Sequence, residues 1–163
     1  MTQQKTEMPD GQGSTTEVIE LLTADHQKVK SLFEEFEAVK DENDNSKKAE
    51  IVNQICLELT IHMQAEEKIL YPAARKALNN DDLMDEADVE HAAAKELIAQ
   101  LEMMNPEESH YDAKVIVLGE SIAHHVKEEE GEMFPMIKKT KLDRQMLGKE
   151  IQSFKDEFIE SEP

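Results

Sequence analysis

Apolar residues along this chain return at steps of three and four, and nowhere with the strict alternation of a half-buried strand. From Val18 the series Leu22, Asp25/His26, Val29, Leu32/Phe33 and Phe36 predicts a first helix over about 15–39. Ser14 and Glu17 have the spacing of a capping box at its start. The polar run from Asp41 to Ser46 is turn chemistry, after which Val52, Ile55, Leu59, His62, Glu66 and Ile69 trace the inner stripe of a second helix up to Pro72. Asn79-Asn80-Asp81-Asp82 breaks the chain again. Met84, Ala87, His91, Ala94, Ile98 and Leu101 then share one face of a third helix. Asn105-Pro106-Glu107-Glu108 offers the cap, proline and acidic first turn of a fourth, whose inner face carries Val115, Leu118, Ile122, His125, Glu129 and Met133.

A shorter amphipathic segment with Leu142, Leu147, Ile151 and Phe154 closes the chain. The pattern predicts an all-α protein, an up-down-up-down four-helix bundle over 15–140 with a C-terminal helix over 141–163 packed on it. Residues 1–14, polar and without periodicity, read as a disordered lead-in.

Composition narrows the function classes. With Gly 5, Pro 5 and Trp 0 in 163 residues, breakers are scarce and long helices are favoured. Cys56 stands alone, which excludes a disulfide framework and any Cys-rich zinc or iron–sulfur site. A formal charge of −19 repels phosphate backbones and anionic lipid, so the expectation is no nucleic acid and no membrane partner. The N-terminus shows no apolar export core and no run approaches the ~18 apolar residues of a membrane span, so a cytoplasmic protein is expected, monomeric or weakly homo-oligomeric.

The chemistry lies in an internal repeat. IHMQAEEKILYP (61–72) recurs as HHVKEEEGEMFP (124–135), each reading His-x-x-x-Glu-Glu before an aromatic and a proline. The helices ahead of them repeat too, Asp25-His26 matching Glu90-His91. Residues four apart on a helix face one way, so His62 with Glu66 and His125 with Glu129 each aim an imidazole and a carboxylate into the core. His26 lies about 14 residues before the first turn and His62 about 16 after it, which at ~1.5 Å per residue sets them level; His91 and His125 fall at the same height.

Four histidines and two carboxylates therefore converge, with no core-facing Lys or Arg placed to pair with both acids. A metal supplies the missing positive charge. His26, His62, Glu66, His91, His125 and Glu129 divide into two sets of two His and one carboxylate, the donor set of non-haem iron with positions open for a small molecule. The reading is a centre of two iron ions, with carboxylates able to bridge and an oxo or hydroxo bridge compatible with it; manganese ranks behind iron.

Glu67 and Glu130 sit one step off the stripe, as solvated charges or in a supporting or bridging role at the site. His124 points about 100° away from His125, and His110 is ~22 Å along the axis from it. Tyr71 and Phe134 read most simply as packing at the helix ends, with an inward reach of Tyr71 as the alternative, Cys56 as a core thiol, and the methionines as core filling.

Together, the lone His26, the His62 and His125 segments and the Glu90-His91 pair resemble the hemerythrin-like, HHE cation-binding family over about 16–138. The resemblance implies a four-helix bundle with a non-haem di-iron centre on the six residues named. Two departures matter. Oxygen carriers of that family have another histidine four residues after the first in the third helix, where this chain has Lys95, and an Asp five residues after the last-helix His, a slot held here by Glu130, with Glu129 at four as the alternative. The four-His two-Glu set looks more like relatives that handle nitric oxide, peroxide or iron. The leading expectation is a protein that binds or senses O₂ or NO. The alternatives are an enzyme acting on peroxide or nitric oxide, and an iron buffer.

Overall fold

The structure, a computed structural model, describes residues 16–161. Helices α1 (Val18–Val39), α2 (Asn45–Ala65), α3 (Tyr71–Leu78), α4 (Asp81–Glu102), α5 (Tyr111–Glu128), α6 (Phe134–Lys138) and α7 (Arg144–Ser161) follow in order. Two π turns, Glu66–Leu70 and Glu129–Met133, join α2 to α3 and α5 to α6. There are thus four rods, two of them interrupted, and a fifth helix. No strand occurs among the described residues, and none of their helices is long and apolar enough to cross a membrane.

Helix starts follow local chemistry. Ser14 of the expected capping box, like the rest of the lead-in, lies outside the described residues. Glu17 is itself the N-cap of α1, its Oε1 accepting from the Glu20 N–H at 2.7 Å. Asp44 and Asn80 cap α2 and α4 in the same way through Lys47 and Leu83. The fourth rod departs from expectation: Asn105-Pro106 opens a turn, closed by Glu108 N–H to Asn105 O, rather than a helix. A second turn follows, His110 takes a left-handed φ of 74°, and α5 begins at Tyr111, whose buried ring fixes the start. The second rod also runs past Pro72, the expected end, to Leu78.

Both π turns stand directly before a proline. Tyr71 N–H bonds to Glu66 O and Phe134 N–H to Glu129 O, each five residues back. Pro72 and Pro135 have no N–H to give, and in an α-helix their rings would press on the carbonyl four residues behind. The wider turn relieves that clash without ending the rod, and it changes which residues face inward.

Two apolar cores fill the bundle. One gathers Phe36, Ile55, Leu59, Val115 and Leu118, while the other gathers Leu22, Leu70, Met84, Ile137 and Ile151. Each such side chain contributes roughly 1.5–3 kcal/mol by leaving water. Between them, where both cores stop, lies a polar layer.

The C-terminal helix packs against α1 and α2. Its Gly148 touches the chain ahead of α1 so closely that a Cβ there would stand 2.2 Å from Thr16 O. Arg144 Nη1 donates to Glu17 Oε2 at 2.8 Å, and buried Ile151 completes the seam.

Candidate metal centre

Each of the four rods sends one histidine into the polar layer. His26 of α1 and His62 of α2 stand with their Nε2 atoms 3.2 Å apart, and His91 of α4 and His125 of α5 repeat that distance. Glu66 lies between the pairs, its Oε1 3.1 Å from His62 Nε2 and 3.3 Å from His91 Nε2. Glu129 does the same from the other side, Oε2 2.9 Å from His125 Nε2 and Oε1 3.4 Å from His26 Nε2. All six side chains are buried, Glu66 and Glu129 to 0 and 1 % exposure.

These six fall into two groups that could hold a metal ion: His26, His62, Glu66, Glu129 and Glu66, His91, His125, Glu129, the candidate ligand atoms of each lying within 4.8 Å of one another. Both carboxylates belong to both groups. The sequence reading put one in each set with bridging left open; here both lie within reach of both histidine pairs.

The π turns explain a seventh member. Tyr71 follows Glu66 by five residues, one π turn, so both point inward. Its hydroxyl donates to Glu129 Oε2 at 2.6 Å and stands 3.2 Å from His91 Nε2 and 3.3 Å from His125 Nε2. Of the two readings of Tyr71, end packing gives way to the inward reach. In the second repeat the matching residue is Phe134, whose ring stacks on His26 with centroids 6.0 Å apart. One half of the layer thus carries a phenol and the other a plain ring.

Outside the layer a ring of carboxylates meets the Nδ1 atoms. His62 Nδ1–H donates to Asp25 at 2.9 Å and His125 Nδ1–H to Glu90 at 3.1 Å. Glu130 and Glu67 stand 3.5 and 3.4 Å from the Nδ1 atoms of His26 and His91. The hydrogen bonds to Asp25 and Glu90 fix the tautomer of His62 and His125 and turn their Nε2 atoms inward, as metal-bound histidines require. Asp25 and Glu90 each precede a histidine in sequence yet serve the one on the neighbouring rod, which only the fold reveals. Lys155 of α7 ion-pairs with Asp25, and Lys95, in the slot of the oxygen carriers' extra histidine, pairs with Glu67. His124 is largely exposed beside Glu90 and Glu128, and His110 sits at the far end of α5.

The electrostatics are those of a negative pocket closed by protons. Burial alone would lower the pKa of His62, yet the charge of Glu66 and the hydrogen bond to Asp25 push it up to about 10. His125 is likewise carried against burial to about 10, by Glu129 first. Glu129 is held well below the usual carboxylate range, burial being outweighed by its contacts with Glu66, His125 and His26. Burial and the two glutamates raise Tyr71 well above its ordinary value, so it keeps its proton and donates.

The hydrogen bonding is incomplete even so. Both oxygens of Glu66, Oε1 of Glu129 and the Nδ1 atoms of His26 and His91 are buried without a hydrogen-bond partner. Imidazole and carboxylate donors aimed at one another in a dry layer, with acceptors left over, fit a cation of borderline hardness. The residues present suit a metal.

Comparison with known proteins agrees with that chemistry. Residues 17–137 match the Hemerythrin HHE cation binding domain family. A DNA nickase of Nostoc sp. is 32% identical over 119 residues, 73% of this chain and 33% of that protein. An uncharacterized hemerythrin-like protein of Schizosaccharomyces pombe is 27% identical over 126 residues, 76% of this chain and 61% of its own length. The chain thus spans a third to three-fifths of these relatives. A solved Hemerythrin HHE cation binding domain-containing protein of Mycobacterium kansasii superposes with a TM-score of 0.73 at 21% identity, over 90% of this chain and 89% of that one, sharing the fold. The match spans all four rods and every residue of the polar layer, and the chain belongs to the hemerythrin HHE cation-binding domain family.

Proposed function

We propose that this chain is a non-haem di-iron protein that binds or senses a small diatomic gas, O₂ or NO. The observation that carries the reading is the sharing of Glu66 and Glu129 between two histidine pairs, with carboxylate oxygens left unpartnered. His26 and His62 would hold one ion, His91 and His125 the other, and the two glutamates would serve both. Iron would supply redox change and open positions for a small ligand. The protein's part is to shield the layer with the two apolar cores and to fix His62 and His125 through Asp25 and Glu90.

An absence of thiolate argues against a structural zinc site, and four imidazoles against calcium. The DNA chemistry named for the Nostoc protein belongs to a much longer chain, and a surface at −19 gives it no support here. The test is anaerobic reduction of the iron-loaded protein followed by O₂ or NO. A new charge-transfer band supports the reading, and an unchanged spectrum with both gases sinks it.

Tyr71 favours a second reading, an enzyme acting on peroxide or nitric oxide. A buried phenol that keeps its proton and donates to Glu129 is a hydrogen-bond donor on one side of the centre only, placed to orient a bound peroxide or nitric oxide. Peroxide decay or NO loss no faster than with free iron would remove it.

A further inference from the structure

A mostly apolar cleft of about 720 Å³ lies between α1 and α5. Its walls are Val29, Phe33 and Phe36 on one side and Val115, Ile122 and Val126 on the other, and its inner end is His26 with Glu130. Gly119 opens it: the Phe33 ring lies 3.0 Å from where a Cβ on Gly119 would stand, so any side chain there would displace that wall. A small internal void lies behind, lined by His26, His62 and His125. Val29, Ile122 and Val126 border both spaces and form the partition between them.

We propose that this cleft is a binding site for an uncharged, apolar organic molecule, seated with one end against His26. A site for a diatomic gas alone needs no such room, whereas drug-sized ligands occupy roughly 300–1,000 Å³ of mostly apolar cavity. The rim argues for neutrality. Lys30 and Lys127 line the cleft among Glu34, Glu37, Glu120 and Glu130, so charges of both signs are present and a ligand of either charge meets like charge there. A second copy of the chain would bring another −19 to an already acidic rim. An apolar peptide helix would have to strip water from charges on both edges. The site stands on the cleft alone and does not depend on the di-iron reading.

The test is fluorescence titration of the full chain, as purified and after metal removal, with the neutral fluorophore N-phenyl-1-naphthylamine. Saturable binding at one per chain in both forms is expected. Ala123→Trp, from an exposed position on the cleft wall, should weaken it about tenfold or more, and Val117→Trp, exposed on α5 away from the cleft, should not. Helix content and metal content should be unchanged in both variants. Non-saturable binding, or equal binding to wild type and Ala123→Trp, overturns the proposal. So does a change of sedimentation mass in Ala123→Trp with probe binding intact, which would assign the face to self-association.

Discussion

The Tyr71 hydroxyl donates to Glu129 Oε2 at 2.6 Å, tying the first repeat to the second across the middle of the bundle. No counterpart runs the other way, because Phe134 holds the matching position. The duplicated motif has therefore built two unequal half-sites.

Loss of that hydroxyl should be visible in two ways. Tyr71→Phe removes a hydrogen bond to a buried charge, worth about 1.5–3 kcal/mol, from the metal-free protein. In the iron-loaded protein, two distinct Mössbauer doublets are expected for wild type, converging toward one in the variant. Two doublets unchanged by the substitution would show that the phenol does not distinguish the irons.

The C-terminal helix should matter to the centre although it lies beyond the family match. Lys155 holds Asp25, and Asp25 holds His62 Nδ1–H. Asp25→Asn should lower metal affinity about 10–100-fold, the usual cost of losing such a partner, and Lys155→Met should lower it less, with Lys155→Arg restoring it. Equal metal affinity in wild type and Asp25→Asn, by competition with a chelator, would contradict this coupling.

Gly148→Ala tests the docking of that helix. The added methyl would meet Thr16 O at 2.2 Å, and backbone cannot swing aside as a side chain can. About 1–3 kcal/mol of stability should be lost. Hydrogen exchange should report faster opening of α7 than of α4; uniform protection would mean that the helix is held elsewhere.

The histidines set a pH dependence with opposite signs for the two forms. His62 and His125 titrate at about 10 in the fold against 6.5 when unperturbed. Their protons favour the folded, metal-free protein, so that contribution is complete below pH 6.5 and is lost as pH rises through about 10. Glu129 and Asp25 are shifted down, and their contribution disappears as pH falls below the ordinary carboxylate range. Metal must displace the histidine protons, so its affinity should rise with pH over the same window, up to about tenfold per unit for each proton. Urea denaturation of metal-free protein at pH 6.5 and 9.5 checks the first sign, and metal competition at both pH values checks the second.

Much of this was legible in the sequence, and the failures are physical. The bundle followed from apolar periodicity, and the common height of His26, His62, His91 and His125 from turn positions and helical rise. An inward Tyr71 ranked behind end packing because a regular α-helix puts residue i+5 well off the face of residue i; the proline after it was the signal that the turn widens. Asp25 and Glu90 were seen beside His26 and His91, but their contacts cross to α2 and α5, and rod-to-rod partners have no sequence spacing. The late start of α5 turned on His110 taking a left-handed conformation that its residue type does not announce.

The most direct measurement of the shared centre is iron per chain in wild type and in Glu66→Ala, with His62→Ala and His125→Ala beside it. Two iron per wild-type chain, with both lost or greatly weakened when Glu66 alone is removed, is the expected result. One iron per chain, or two irons retained without Glu66, would contradict a centre in which that carboxylate serves both ions.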